Sequence, residues 1–167
     1  DRGSMTLLFE DKLQSNEKID CLAVHIGSSK LLIPMPAIAE IIAKQQPKLS
    51  EKLPSWVVGW IEWHHLTIPL IDFAAIQWDL KARDVDAHNG MVVLRSFTEG
   101  HRHRYYAIMS STFPHTISVR AGSDITARHV ENVGNCIKID LMIQGESLLL
   151  PDFQQMESFL TQIPLYF

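Results

Sequence analysis

The sequence predicts a mainly β protein built from short strands and hairpins with few helices. Three observations carry this expectation. Short runs of β-branched and aromatic residues recur between turn signals such as Ser28-Ser29, His64-His65, Asn89-Gly90 and Gln144-Gly145. Strict alternation marks Cys136–Ile143, with Ile137, Ile139, Leu141 and Ile143 on one face and Lys138 and Asp140 on the other. An internal echo sets Asp72-Phe73-Ala74-Ala75-Ile76 against Asp152-Phe153-Gln154-Gln155-Met156, 80 residues later. In both copies an apolar strand runs into an Asp able to cap a short helix, which predicts two similar half-domains.

The elements follow in order. Asp1-Arg2-Gly3-Ser4 before Met5 resembles an expression remnant, and residues 5–20 read as a flexible leader, so the folded domain is expected over 21–167. Cys21–Gly27 and Lys30–Ile33 form a strand pair around a tight turn. Pro34 and Pro36 interrupt pairing. Ala37–Ala43 is apolar apart from Glu40 and suits a strand or a short helix. Gln45–Ser55, polar with two prolines, reads as a loop. Trp56–Trp63 and Leu66–Ile71 are strands with His64-His65 at the hairpin tip. Strict alternation would set Trp56, Val58 and Trp60 on one face and Val57, Ile61 and Trp63 on the other. Lys81–Gly90 is polar and ends in a turn. Met91–Phe97 and Arg104–Met109 flank Glu99-Gly100 as another hairpin. After Leu148–Leu150, Pro151 suits the first turn of a helix whose Phe153, Met156 and Leu160 share a face.

Composition narrows the function. A chain of 167 residues, 46% hydrophobic and 20% charged, is ordinary globular material of one domain or two small ones. Its net charge of −4 disfavours nucleic acid as the main partner. No apolar run approaches the roughly 18 residues that cross a bilayer, and no signal peptide pattern opens the chain, which suits a cytosolic protein without membrane insertion.

Catalytic and metal chemistry find little footing. Of eight histidines, His64 and His65 are adjacent and point to opposite faces of a strand. His101 and His103 share a face but sit between Arg102 and Arg104, which disfavour a dication, so a solvated turn is the simpler reading. Gly-x-Ser-x-Gly, Cys-x-x-Cys and His-Glu-x-x-His are missing, and Cys136 lies in a strand pattern that suits an inert thiol. No catalytic residue, metal site or cofactor is expected; a metal-dependent or small-ligand barrel using the histidine turns is the alternative. Trp56, Trp60, Trp63 and Trp78 are core, or in part an exposed aromatic surface for a partner. Glu40, alone in an apolar run, is a solvated edge charge or an interface carboxylate.

The stretch Pro54-x-Trp56-Val57-Val58-Gly59-Trp60-Ile61-Glu62-Trp63-His64-His65-Leu66-Thr67-Ile68-Pro69-Leu70-Ile71-Asp72-Phe73 resembles the central signature of CheW-like domains. Leu32-Ile33-Pro34, Ile38-x-Glu40-Ile41 and Leu148-Leu149-Leu150-Pro151-Asp152-Phe153 are similar to flanking parts of that family's pattern. The resemblance spans about Cys21 to Leu160. It implies two intertwined SH3-like five-stranded barrels and a non-catalytic adaptor. Such an adaptor couples the cytoplasmic tips of methyl-accepting chemoreceptors to the regulatory domain of a CheA-type histidine kinase, with other CheW-like proteins as further partners. Ile38 and Glu40 match the family strand that meets the kinase, and Gly59 the glycine that lets a partner approach. Glu62 replaces the family Asn, and His64-His65 replace its Arg-Gly turn. A histidine there makes an ion pair pH-sensitive where arginine would fix it. These departures, with no Gly or Asp in Ala107–Phe113, are similar to ChpC-like proteins of type IV pilus twitching systems.

Overall fold

A computed structural model describes residues 17–120, 125–129 and 135–166. The expected remnant at 1–4 and most of the leader fall outside them. Among the described residues eleven strands are present: β1 (Lys18–Ile26), β2 (Ser29–Pro34), β3 (Ile38–Ile42), β4 (Val57–Trp63), β5 (Leu66–Ile71), β6 (Met91–Arg95), β7 (Tyr105–Met109), β8 (His115–Arg120), β9 (Ile125–His129), β10 (Ile137–Ile143) and β11 (Glu146–Pro151). Helices α1 (Phe73–Gln77) and α2 (Phe153–Leu160) follow β5 and β11. The fold is mainly β with two short helices, as expected.

One sheet has the order β8-β1-β2-β11-β10-β9 and the other β3-β6-β7-β5-β4, so one half carries six strands where five were expected. The sixth arises because 115–129 supplies both β8 and β9. The halves are intertwined: β1 and β2 open the chain yet join the C-terminal hairpin, through the parallel pair Leu149–Leu31. Strand β1 begins three residues before Cys21, with Lys18 paired to Arg120.

The 80-residue echo is a structural repeat. Hairpin β4–β5 pairs Val57 with Ile71, and β10–β11 pairs Ile137 with Pro151. Both carry a bulge at the same place, between Val57 and Gly59 and between Ile137 and Ile139. The Asp72 amide donates to Trp56 O (3.0 Å), and the Asp152 amide donates to Cys136 O (2.8 Å). Asp72 caps α1 by accepting from the Ala74 amide (3.1 Å), and Asp152 caps α2 through the Gln155 amide (3.1 Å). Pro151 is therefore the last residue of β11, one place before the cap, and not the first helical residue.

Three cores result. The largest lies between the sheets, where Leu22, Leu31, Val92, Tyr106, Phe73 and Phe153 meet. Ile139, Leu141, Leu148 and Leu150 fill the six-stranded half, and Ile61, Leu70, Val93 and Ala107 the five-stranded half. The bulges decide which core a side chain enters. Trp56, Val57 and Trp60 face the shared core, while Val58, Ile61 and Trp63 face the five-stranded one, which corrects the face assigned to Val57 and Val58 by strict alternation. The same device turns Ile137 to the shared core and Ile139 to its own sheet.

Candidate protein-interaction site

The five-stranded sheet ends on β3 and β4, and these two edges are sewn together. Near the hairpin tip, Glu40 Oε1 accepts from Trp63 Nε1–H (3.0 Å) and lies 2.9 Å from His64 Nε2. Next, the Gln45 side chain bonds both backbone groups of Glu62, at 3.1 and 3.2 Å. Farther along, Lys48 and Trp60 exchange backbone hydrogen bonds at 2.8 and 2.9 Å. The chain after β3 thus runs antiparallel along β4 as a seam, and the loop expected at Gln45–Ser55 contributes a β-bridge at Lys48.

The seam gathers most of the sequence-predicted residues. Glu40 and His64 are in direct contact, both well exposed, and the hydrogen bonds from His64 and then Trp63 hold the Glu40 carboxyl below its ordinary value. His64 also packs edge-on against the Trp63 ring at 4.6 Å. Glu62 is exposed and accepts from Thr67 Oγ1 (2.8 Å) across the hairpin. His65 is exposed at the tip, where Trp63 pairs with Leu66 and leaves a two-residue loop. Both loop residues have positive φ, 48° for His64 and 64° for His65, the pattern of a type I′ turn.

Two expected contact residues lie beneath this surface. Ile38 is 8% exposed, part of the shared core, and its carbonyl accepts from Arg95 Nη2 (2.8 Å). Gly59 is buried, and what approaches it is the chain itself. A Cβ there would stand 2.6 Å from Lys48 O and 3.0 Å from Pro47 Cβ. The seam segment lies against Gly59 on that side. Of the tryptophans, Trp78 is half-exposed, while Trp56 and Trp60 are buried.

The other histidine pair is structural rather than solvated. His103 is 5% exposed and its Nε2 lies 2.8 Å from Ile163 O. Its amide donates to His101 Nδ1 (3.0 Å), which leaves the His101 ring proton on Nε2 to meet Glu157 O at 2.8 Å. Buried Glu157 in turn accepts from the amides of Phe97 (2.8 Å) and Thr98 (2.9 Å). These ring nitrogens pin the β6–β7 loop to α2 and to the segment that follows it, a use that sequence spacing did not reveal. Among the described residues no group of three or more His, Cys, Asp or Glu could hold a metal ion. Burial, with Asp152 nearby, pushes the Cys136 thiol up to about 12, which keeps it protonated and unreactive.

A family model for the CheW-like domain matches residues 20–156. The chain belongs to the CheW-like domain family. This scaffolding family is non-catalytic, so the protein is a scaffold and not an enzyme. CheW-like domains couple receptors and CheA kinase in chemosensory signalling. Among solved structures, the scaffolding protein TtCheW from Thermoanaerobacter tengcongensis is similar, with a TM-score of 0.65 at 9% identity, covering 81% of this chain and 85% of that one. At that identity the likeness speaks for the fold. No curated protein sequence matches the chain. Among the described residues no helix is long and apolar enough to cross a membrane.

Proposed function

We propose that this CheW-like protein is a cytoplasmic adaptor joining chemoreceptor tips to the regulatory domain of a CheA-type histidine kinase. We assign it to the ChpC-like branch serving type IV pilus twitching. The observation that carries the adaptor reading is the seam, where Glu40, Trp63 and His64 form one exposed hydrogen-bonded group on a barrel edge. Glu40, Glu62, His64 and His65 present the contact surface, and Ile38 and Gly59 support it from below. The branch assignment rests on His64-His65 in place of an Arg-Gly turn. A fixed guanidinium would bind a partner carboxylate by a permanent charge pair; an imidazole shared with Glu40 offers a weaker and more selective contact.

Calorimetric titration with a CheA-type regulatory domain tests this reading. Glu40→Lys is expected to lower affinity tenfold or more, because a carboxylate at a docking rim becomes a like charge for the same partner group. The far-UV spectrum and unfolding midpoint should stay near those of the parent, since Glu40 is exposed. Unchanged affinity would remove Glu40 from the site.

A further inference from the structure

Beyond the hairpin tip, the starts of β5 and β7 and the segment after α2 enclose a groove of about 200 Å³. Its accessible apolar lining is Leu66 (46% exposed), Leu165 (48%) and Tyr166 (41%), with Trp60 and Ile68 buried behind them. Arg102 and Arg104, both exposed, line it together with Tyr166. Tyr166 packs edge-on against Trp60 at 5.3 Å, with Lys48 Nζ 5.8 Å from its ring. No Asp or Glu is among the described lining residues. The nearby Glu62 carboxylate is occupied by the Thr67 hydroxyl at 2.8 Å.

We infer that this groove is a docking site for an acidic peptide segment bearing one large apolar side chain. The volume corresponds to about six or seven waters of liquid, enough for one aromatic ring set against the exposed Leu66, Leu165 and Tyr166. The two arginines, with Lys48 Nζ 5.8 Å from the Tyr166 ring, bring three cationic side chains to the groove of a chain whose net charge is −4. A flanking carboxylate gains charge-assisted hydrogen bonds there, bidentate where the guanidinium fork is free. A basic peptide meets like charge at the rim. The ring of His103 takes no part, because its Nε2 is committed to the Ile163 carbonyl, 2.8 Å away.

Fluorescence anisotropy with rhodamine-labelled Gly-Glu-Asp-Phe-Glu-Gly tests the inference on the full chain. Saturable binding is expected, at least fivefold weaker when the peptide Phe is Ala and undetectable when its acids are Lys. Charge reversal at both arginines (Arg102→Glu with Arg104→Glu) should cost tenfold or more, and added salt should weaken the parent interaction. Both arginines are exposed, so the variant should keep the parent unfolding midpoint. The Phe-to-Ala peptide decides the matter on the parent protein even if the variant does not fold. Equal binding of acidic and basic peptides, indifference to the Phe, or retained affinity in the charge-reversed protein would overturn the assignment. Capture by phosphatidylserine vesicles with no peptide binding would do so as well.

Discussion

His65 holds a left-handed backbone conformation, φ 64°, that L-residues with a Cβ adopt at a cost of about 1–2 kcal/mol. The equivalent turn in the other half resolves this with Gly145, φ 81°. His65→Gly should therefore stabilise the protein by about 1 kcal/mol in urea denaturation, the greater freedom of unfolded glycine offsetting part of the gain. A decrease would mean that the His65 side chain makes a contact worth more than the strain. The two helix caps differ in a similar way. Asp72 is 2% exposed and also accepts from the Arg83 amide (3.0 Å), Nε (3.0 Å) and Nη2 (3.1 Å). Burial alone would raise its carboxyl; the Arg83 side-chain and amide hydrogen bonds reverse this and hold it below the ordinary range. Asp72→Ala strands a partly exposed guanidinium and uncaps α1, and should cost about 3 kcal/mol. Asp152→Ala removes one cap from α2 and should cost about 1 kcal/mol. Equal losses in thermal or urea unfolding would contradict the difference in burial. Both caps were legible in the sequence because Asp-Phe after an apolar strand is a local signal. The Glu40–His64 contact was not, because it joins positions 24 residues apart that meet only once the barrel closes.

At the scale of elements, the seam governs how β3 and β4 hold together. Gly59→Ala places a methyl 2.6 Å from the Lys48 carbonyl, a backbone atom with no rotamer to move. The Lys48–Trp60 bridge should open, with a loss of about 2–3 kcal/mol and faster hydrogen exchange at the Lys48 and Trp60 amides. Protected amides in that variant would show that the seam can shift without parting. The hairpins at β1–β2, β4–β5, β6–β7 and β10–β11 follow from runs of branched residues around turn signals, and their positions were legible. The bulges were not. A bulge adds one residue to one strand and reverses which face every later side chain takes, yet leaves no compositional mark at Val57–Gly59 or Ile137–Ile139. Strand β8 escaped for another reason. Of its six residues only Val119 is buried, so the strand is set by pairing with β1 and not by its own alternation.

Across the whole molecule, acid should unlock the shared structure before it protonates the carboxylates. Burial lowers the folded-state value of His88, with Arg83 adding to the effect, and burial likewise lowers that of His103. The unfolded chain, with ordinary imidazoles near 6.5, therefore binds more protons as pH falls through that value. Stability is present above about pH 6.5 and declines below it, until the folded-state values are passed. Asp72 acts in a separate window, its stabilisation held above the ordinary carboxylate value and lost in stronger acid. Urea unfolding at pH 7.5 and 5.5 should give the smaller free energy at pH 5.5; a flat or inverted profile would show that these imidazoles take up protons in the folded state as readily as in the unfolded chain. The two-sheet plan also has a consequence for the order of assembly. Strands β3 to β7 occupy one unbroken stretch, 38–109, and can pair as soon as that stretch has left the ribosome. Strands β1 and β2 emerge first but must wait for β10 and β11, synthesised more than a hundred residues later, before their sheet can form. During that interval the apolar run Leu31-Leu32-Ile33 has no sheet partner from the C-terminal half, so nascent chains of this protein are most exposed to chaperones and to aggregation at their N-terminal hairpin.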